Sequence, residues 1–432
     1  MENDVRKLTV QSLLRCESGA FSHLVMKEVL GSPELEERDR AFFTVLFLGT
    51  LSRQISIDRI LSCFLKKGVA SLDPEIRAIL RLGTYQLQWM DGVPQYAAIS
   101  ESVNLCRKFR KSSASKLVNA VLRRASECRL EELTGKETGA QRLSDLYSVN
   151  LGLAELLISE YGENTEQILR ATLDGGDLFL RVNTRKNSQE ELKNQIASAK
   201  FTALPNCLKI SGSVASVSGM LEAGNATIEG FPAQVAAACV GAQTGENVLD
   251  LCSAPGGKTA CLAQEVGDTG RVIAVELYPR RASLVTDLAK RLQLPNVEVV
   301  CCDGREYCPG YLFDRVLCDV PCSGYGELAS KPELRAKDPE GSADLPRLQM
   351  ELLCHAARLL KKGGTLVYST CTLLRRENED IVRSFLSEHP DFDGSPITVG
   401  DVGAEAVSPF EWKFIPSAGQ PEGFYIASLR KL

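Results

Sequence analysis

The stretch VLDLCSAPGGKTACLA, residues 248–263, decides the fold of this 432-residue chain. An apolar strand runs into a Gly-Gly turn, and helix-forming residues come after the turn. Gly256 and Gly257 allow the backbone to approach a ligand closely, and the helix N-terminus offers free N–H groups to a carboxylate or phosphate. The spacing matches neither a P-loop nor GxGxxG. Taken alone, the loop is either a cofactor site or an ordinary βα turn.

The sequence around this loop predicts the architecture of the C-terminal part. Short apolar strands alternate with helical stretches such as SLVTDLAKRL from about residue 235 onward; the strands are NVLDLC, RVIAVEL, VEVVCCD, RVLCDV and TLVYST. This alternation indicates a mostly parallel sheet covered on both faces. The expected fold is therefore a doubly wound, Rossmann-like α/β domain.

Acidic residues end three successive predicted strands. Glu276, Asp303 and Asp319 occupy these positions, and the carboxyl ends of parallel strands meet at one edge of a sheet, where ligands bind. An acid about 20 residues after the glycine loop can accept hydrogen bonds from ribose hydroxyls. Helix capping explains any one of these acids but not the whole set. The pattern favours a site for a nucleoside-bearing cofactor.

The N-terminal part reads as all helical. Apolar residues recur at helical spacing in AFFTVLFLGTLSRQISIDRILSCFL, and Asp73-Pro74 is a typical helix start. The polar stretch 131–141 lacks periodicity and predicts a linker. Beyond it, LFLRVNT predicts a strand, with a helix starting at Asn187-Ser188. We expect three domains, at residues 1–135 (helical), 142–234 (small α/β) and 235–432 (α/β).

A basic stretch lies near the end of the helical part. Residues 106–129 carry eight Lys and Arg but a single acid, Glu127. Such a stripe is typical of a phosphate-binding surface, although a solvated helix face explains it equally well. The net charge of −5 argues against a uniformly basic nucleic-acid binder.

Composition excludes several classes of protein. The 15 cysteines include no CxxC pair, the three histidines are far apart, and no stretch approaches 18 consecutive apolar residues. We therefore expect no metal, no membrane span and a cytoplasmic protein with reduced thiols.

Two thiols lie just after strands in the C-terminal part. Cys322 lies in CDVPCSG, residues 318–324, and Cys371 ends STC, residues 369–371, while Asp319 stands beside the first thiol. Adjacent strands would bring all three groups to one sheet edge. Either cysteine could be a nucleophile, and strand-end thiols are often merely structural. The residues alone do not rank the two.

Three of these segments resemble motifs of the RsmB/NOP family of S-adenosylmethionine-dependent RNA cytosine-5 methyltransferases. DLCSAPGGKT resembles the cofactor loop, DVPCSG the proline-cysteine motif and VYSTCTL the threonine-cysteine motif. AAISESVNL followed by KLVNAVLRR is similar to the NusB-like helical RNA-binding domain of the bacterial small-subunit rRNA branch. LRVN and GFYIASLRK fit further family positions, so the resemblance covers nearly the whole chain.

The resemblance implies a cofactor, S-adenosyl-L-methionine, and a role for each matched residue. The residues that would surround its methionine end are Cys252, Ser253, Ala254, Pro255, Gly256, Gly257 and Lys258. Glu276 would hold the ribose, Asp303 would lie beside the adenine, and Asp319 would line the site between cofactor and target base. Cys371 would be the nucleophile that attacks C6 of cytosine, and Cys322 would assist product release.

The resemblance further implies 16S rRNA, or an early small-subunit assembly intermediate, as the partner of a monomeric enzyme that forms 5-methylcytosine. The residues expected to contact RNA phosphates are Lys108, Arg110, Lys111, Lys116, Arg123, Arg124 and Arg181. Arg181 could equally be a structural ion-pair partner. Two rivals remain: the same chemistry on another RNA such as tRNA, and a non-catalytic NusB-like assembly factor.

Four positions depart from the family pattern. Gln234-Val235 stands for the usual Gln-Asp pair, and Glu276 for the usual Asp. ELASKPELRAK, residues 327–337, lacks the expected Trp and several arginines, and Arg375-Arg376 replaces Pro-Glu. None of these changes removes a catalytic group, but the last two affect expected RNA contacts.

Overall fold

The structure, a computed structural model, describes residues 4–212 and 214–432. The chain forms two compact units. We call Met1–Leu173 together with Leu328–Pro339 the helical unit, and Asp174–Glu327 together with Glu340–Leu432 the sheet unit. The predicted division at residues 1–135, 142–234 and 235–432 stays a prediction.

The helical unit confirms the expected all-α N-terminal part. Its helices are α1 (Val5–Glu17), α2 (Ser22–Leu30), α3 (Glu37–Ser52), α4 (Gln54–Ser62), α5 (Pro74–Trp89), α6 (Gln95–Lys108), α7 (Ser115–Ser126), α8 (Leu130–Thr134), α9 (Gly139–Tyr147), α10 (Leu151–Tyr161) and α11 (Thr165–Ala171). Helix α5 begins at Pro74 as predicted, with Asp73 as its N-cap residue. The main core includes stacked Phe43 and Phe47, both fully buried.

The polar stretch 131–141 is not the linker that its composition predicted. It contains most of α8 and the start of α9. Leu130 packs with Ile60 in a small apolar cluster, and Arg59 makes ion pairs with Glu137 at 2.9 Å and Asp145 at 3.0 Å. These tertiary contacts stabilise short helices that the local sequence favours only weakly.

The segment Leu328–Pro339 returns to the helical unit and buries a cation there. The Arg335 side chain is 1% exposed and donates hydrogen bonds to the carbonyl oxygens of Tyr147, at 2.8 Å, and Thr172. Burial lowers the pKa of Arg335. This arginine therefore holds two helix ends and is not available to contact RNA.

The sheet unit begins with a small antiparallel sheet. Its strands are β1 (Leu178–Val182), β2 (Lys200–Phe201), β3 (Cys207–Ile210) and β4 (Ala226–Ile228), in the order β2-β3-β1-β4. Helix α12 (Gln189–Gln195) starts where predicted, because Ser188 and Glu191 form a reciprocal capping box. Helix α13 (Ser218–Glu222) precedes β4.

A nine-stranded sheet makes up the rest of this unit. Its strands are β5 (Asn247–Asp250), β6 (Arg271–Glu276), β7 (Val297–Cys301), β8 (Phe313–Asp319), β9 (Leu360–Thr370), β10 (Phe392–Gly394), β11 (Glu405–Ser408), β12 (Glu411–Phe414) and β13 (Phe424–Lys431). The run β7-β6-β5-β8-β9 is parallel, while β10 to β13 pair antiparallel. The helices of this part are α14 (Phe231–Cys239), α15 (Gly257–Val266), α16 (Pro279–Leu292), α17 (Leu345–Leu359) and α18 (Glu379–Glu388). The expected Rossmann-like, mostly parallel sheet is confirmed.

Strand order positions the site. Strand β5 pairs with β6 on one side and with β8 on the other, so the winding direction reverses between β5 and β8. Ligands of doubly wound sheets bind outside the carboxyl ends of the strands at such a switch point. The glycine loop lies directly after β5 and Asp319 ends β8, which places both at this crevice.

Within the described residues, none of the helices combines the length and the apolar character needed to cross a membrane.

Candidate active site

The loop between β5 and α15, residues 251–256, is a tight backbone turn that only glycine can complete. Gly256 has φ +110°, and a Cβ there would lie 3.1 Å from Val285 Cα. A Cβ on Gly257 would lie 1.6 Å from Glu229 Oε2. The Glu229 carboxylate therefore lies against the first turn of α15, where a negative charge is favourable.

Hydrogen bonds to neighbouring elements hold this loop in place. The Ser253 amide donates to the carbonyl oxygen of Val275 at 3.0 Å, and its hydroxyl donates to the same oxygen at 3.1 Å. Arg281 donates to the Ala254 carbonyl oxygen at 3.0 Å. The loop is thus fastened to the end of β6 and to α16.

A buried carboxylate that the sequence reasoning did not assign stands at the end of β5. Asp250 Oδ2 accepts a hydrogen bond from Thr259 Oγ1 at 2.6 Å, while Oδ1 has no partner among the described residues. Burial raises the pKa of Asp250 to about 7. The rule that selected the other strand-end acids would have found this one as well.

Glu276 ends β6, as predicted, whereas Asp303 lies two residues beyond the end of β7 at Cys301. The surroundings of the two carboxylates also differ. The Glu276 side chain is 4% exposed, and its Oε1 accepts the Tyr278 amide proton at 3.1 Å. Asp303 is chelated by the Arg305 guanidinium, with a shortest distance of 2.7 Å, and this hydrogen bonding lowers the pKa of Asp303. Both carboxylates lie at the carboxyl edge of the parallel strands.

The groups at this edge of the sheet match the polar groups of S-adenosylmethionine. The left-handed Gly256 lets the backbone approach a ligand closely. The Asp250 Oδ1 atom, which has no hydrogen-bond partner among the described residues, and the buried Glu276 carboxylate offer acceptors for the ammonium group and the ribose hydroxyls.

A second part of the site is a row of hydrogen-bonded polar side chains that joins α15 to the ends of β8 and β9. Lys258 Nζ lies 2.9 Å from Asp319 Oδ2, and the Ser369 hydroxyl donates to Asp319 Oδ1 at 2.6 Å. Burial disfavours the charged lysine, but the carboxylates of Asp319 and Glu229 hold the pKa of Lys258 above its usual value. Asp319 is therefore oriented from both sides. Ser369 is a contributor that sequence reasoning missed.

The structure brings the two candidate thiols together. Cys322 Sγ and Cys371 Sγ are 3.1 Å apart, and Cys371 Sγ donates a hydrogen bond to Glu327 Oε2 at 3.0 Å. The Cys371 sulfur thus contacts both the Cys322 sulfur and the Glu327 carboxylate. Both side chains are partly exposed, so a substrate can approach them.

Further contacts fix the two loops that carry these thiols, residues 320–327 after β8 and 371–378 after β9. The hydroxyls of Ser323 and Thr372 are 2.7 Å apart, and the Gly326 amide donates to the Cys371 carbonyl oxygen at 2.9 Å. A Cβ on Gly326 would meet the Gly423 carbonyl oxygen at 2.0 Å, so only glycine allows this approach.

The other cysteines of this region have no such setting. Cys318 on β8 is fully buried, and burial raises its pKa. Cys252 in the loop has its pKa raised well above the usual value, again chiefly by burial. Raised thiol pKa values leave little thiolate for nucleophilic attack. Among the described residues, no group of three or more His, Cys, Asp and Glu side chains could hold a metal ion.

The predicted RNA-contacting residues separate into two groups. Lys108, Arg110, Lys116, Arg123 and Arg124 are exposed around α6 and α7, although Lys108 pairs with Asp4 and Lys111 with Asp73. Arg181 is different: it is 4% exposed and pairs with Glu265 at 2.7 Å. Of the two roles considered for Arg181, the structure favours the structural ion pair.

One departure from the family pattern, the Gln234-Val235 pair, lies inside the sheet unit. Val235 lies on α14 and is fully buried in the apolar core. Gln234 is also buried, and its Nε2 donates to the Glu229 carbonyl oxygen at 2.9 Å.

One prediction concerns the buried Asp250. Because its pKa is raised from 3.8 to about 7, the unfolded state loses its proton first as pH rises. Folding stability therefore falls between about pH 4 and pH 7. We expect Asp250→Asn to remove this penalty, so the cofactor-free variant should gain stability relative to wild type across that range. Urea unfolding at pH 4.5 and pH 8 measures the difference; an equal difference at both values would contradict the expectation.

A helical unit together with a Rossmann-like sheet, a glycine loop and strand-end acids at the switch point defines an S-adenosylmethionine-dependent methyltransferase of class I fold. Residues 237–430 match the family described as 16S rRNA methyltransferase RsmB/F. Residues 3–127 match the NusB family, and residues 153–215 match the ferredoxin-like domain of RsmF/B-like methyltransferases. The chain belongs to the ribosomal RNA small subunit methyltransferase B family.

Full-length relatives support this membership. The chain is 32% identical to the "Probable ribosomal RNA small subunit methyltransferase B" of Bacillus subtilis, over 100% of this chain and 99% of the relative. It is 33% identical to the Synechocystis protein of the same name, over 95% and 96% of the two chains.

Solved structures confirm the fold. The protein PH0851 superposes with a TM-score of 0.84 over 100% of both chains at 24% identity. NSun6 from Pyrococcus horikoshii, crystallised with SFG, gives a TM-score of 0.61 over 66% of this chain and 99% of its own, at 20% identity.

Proposed function

We propose that this methyltransferase forms 5-methylcytosine in 16S rRNA through a covalent bond between Cys371 and C6 of the target cytosine. The observation that carries the proposal is the 3.1 Å contact between the Cys322 and Cys371 sulfur atoms. Asp319 ends β8 on one side of this pair and is held by Lys258 and Ser369. A protein that only bound RNA would not need two partly exposed thiols in contact at the carboxyl ends of β8 and β9.

The chemistry requires a covalent nucleophile because C5 of cytosine is itself a poor one. Addition of the Cys371 sulfur to C6 turns the ring into an enamine, which makes C5 electron-rich. Bound S-adenosylmethionine supplies the electrophilic methyl group. Loss of the C5 proton and elimination of the Cys371 sulfur then restore the aromatic ring.

In this mechanism Asp319 binds and orients the target cytosine. Each carboxylate oxygen can accept more than one hydrogen bond, so the bonds from Lys258 and Ser369 leave capacity for the cytosine amino group. A base held by this rigid carboxylate keeps its ring in a fixed orientation over Cys371, and such positioning lowers the barrier to attack.

Cys322 serves product release. Its sulfur contacts the Cys371 sulfur and is therefore close to the C5–C6 bond of a base attached there. From this position it assists removal of the C5 proton, after which the Cys371–C6 bond breaks.

The proposed cofactor site uses the residues around the glycine loop. Cys252 to Lys258 surround the methionine end, Glu276 holds the ribose, and Asp303 lies beside the adenine. The adjacency of these groups at the carboxyl edge supports the assignment.

The proposed RNA partner needs an unstacked target. A cytosine must leave any helix for a side chain to reach C6, so single-stranded or flipped RNA is the substrate form. The exposed basic residues of α6 and α7 bind phosphates of 16S rRNA or of an early assembly intermediate. We expect the reaction in the cytoplasm, where ribosomal RNA matures.

The test uses purified protein, cofactor and unmodified 16S rRNA fragments, with 5-methylcytosine quantified by nucleoside mass spectrometry. Product at one position supports the proposal; binding of RNA and cofactor without product would overturn it. Mapping modified cytosines in 16S rRNA and tRNA of a deletion strain separates the proposed substrate from its rival. A non-catalytic assembly role predicts no lost modification in either RNA.

The basic surface of α6 and α7 is open to a direct test. We expect the double variant Lys116→Gln, Arg123→Gln to bind the rRNA fragment more weakly. The salt dependence of log K should flatten by about 0.7 per lost phosphate contact. Lys362→Gln, an exposed lysine at the opposite end of β9 from Cys371, is the matched control. Filter binding at several salt concentrations measures the slope, and an unchanged slope would favour an ordinary solvated helix face.

A further inference from the structure

A carboxylate that no motif indicated touches the proposed nucleophile. Glu327 Oε2 accepts a hydrogen bond from Cys371 Sγ at 3.0 Å. The two residues are 44 positions apart in the chain, so this contact exists only because the loops after β8 and β9 meet. A carboxylate that accepts the proton of a nucleophilic thiol has the geometry of a general base.

Backbone contacts make this approach a fixed feature of the site. The Gly326 amide donates to the Cys371 carbonyl oxygen at 2.9 Å, and the Gly423 amide donates to the Gly326 carbonyl oxygen at 2.8 Å. The Glu327 amide closes a turn onto the Gly324 carbonyl oxygen at 2.9 Å. Gly326, the residue before Glu327, is therefore hydrogen-bonded to the backbone of Cys371.

The charges around Cys371 explain why its proton needs an acceptor nearby. The Glu229 and Asp319 carboxylates interact with the Lys258 ammonium, and Glu327 adds a third negative charge near Glu229. Burial raises the pKa of Glu229, and the carboxylates of Asp319 and Glu327 add to this effect against Lys258. A free Cys371 thiolate would be a further negative charge beside these carboxylates, and the single Lys258 ammonium offsets only part of their repulsion. Moving the proton from sulfur to a carboxylate leaves the net charge unchanged.

We propose that Glu327 is the general base that takes the proton of Cys371 as the sulfur attacks C6. This inference rests on the proposed function, in which Cys371 is the nucleophile. The S–H bond breaks, the proton moves to Glu327 Oε2, and the freed electron pair forms the S–C6 bond. When the C6–S bond later breaks, the departing sulfur takes the proton back from the Glu327 carboxyl group. The C5 proton leaves separately, on the side of Cys322, and is lost to solvent.

The first arm of the test measures single-turnover methyl transfer to a 16S rRNA fragment between pH 6 and pH 9. General-base catalysis is worth about 10² to 10⁴ in rate, so Glu327→Gln should lose roughly 10²-fold at pH 7. Its defect should shrink as pH rises, because direct ionisation of the thiol replaces the lost base. Glu327→Asp should recover part of the rate. Glu388→Gln, an exposed glutamate at the end of α18, is the matched control.

The second arm uses no RNA and measures alkylation of Cys371 by iodoacetamide, quantified by peptide mass spectrometry. Replacing the carboxylate with a neutral amide removes a like charge from beside the thiol. The thiolate fraction and the alkylation rate should therefore rise in Glu327→Gln, although methyl transfer falls. Opposite changes in the two arms, together with the shrinking of the transfer defect as pH rises, support a base, since a structural defect gives no such pH dependence.

Two results would overturn the inference. One is transfer by Glu327→Gln within about threefold of wild type at pH 7, well below the loss of a general base. The other is a defect of constant size across the pH range, which would make Glu327 a positioning residue. Failure of the proposed function has a different signature, namely full transfer by Cys371→Ala.

Discussion

Replacing Cys371 with alanine should reduce methyl transfer to the level measured without enzyme. The sulfur that would add to C6 is gone. The sulfur of Cys322 lies 3.1 Å from the sulfur of Cys371 in the wild-type protein. We expect no substitution of one thiol for the other, because the Glu327 carboxylate accepts a hydrogen bond from Cys371. Without an adduct the cytosine ring stays aromatic, and C5 remains too weak a nucleophile to react. The measurement is radiolabelled methyl transfer from the cofactor to a 16S rRNA fragment.

Binding measurements separate a chemical defect from a structural one. The Cys371→Ala variant should retain wild-type affinity for cofactor and RNA, because the side chain is small and partly exposed. Cys354→Ala, which removes a partly buried thiol from α17 outside the site, is the matched control and should remain active. Activity in Cys371→Ala would show that Cys322 or another group is the nucleophile.

Replacing Cys322 with alanine should produce the opposite failure. Attack by Cys371 remains possible, since Glu327 still accepts its proton, but the group that assists loss of the C5 proton is absent. The methylated base should then stay attached to Cys371. We expect a protein–RNA adduct that migrates as a shifted band on a denaturing gel and that requires cofactor to accumulate.

A double variant assigns the attachment point of this adduct. Cys322→Ala combined with Cys371→Ala should give no shifted band, whereas Cys322→Ala combined with Cys354→Ala should give one. If Cys322→Ala turned over normally without an adduct, Cys322 would have no part in release. If the double variant of both active-site thiols still formed an adduct, neither cysteine would be the attachment point.

Much of the fold could be predicted from local sequence patterns. Strand–helix alternation from residue 235 predicted the parallel run of the large sheet, and Asn187-Ser188 marked the start of α12. The polar stretch 131–141 was the failure, because its short helices depend on the apolar cluster around Ile60 and on the ion pairs of Arg59. Local composition carries no information about such distant partners.

The candidate site divides in the same way. The sequence by itself determined which groups stand at strand ends, because the apolar run of a buried strand stops where its loop begins and the motif residues occupy that loop. Only the tertiary structure decided which of these groups touch. Glu327 reaches Cys371, Arg181 is buried against Glu265, and Arg335 is buried among helix ends. Each of these contacts joins residues tens of positions apart, and the path of the folded backbone alone sets the distance between them.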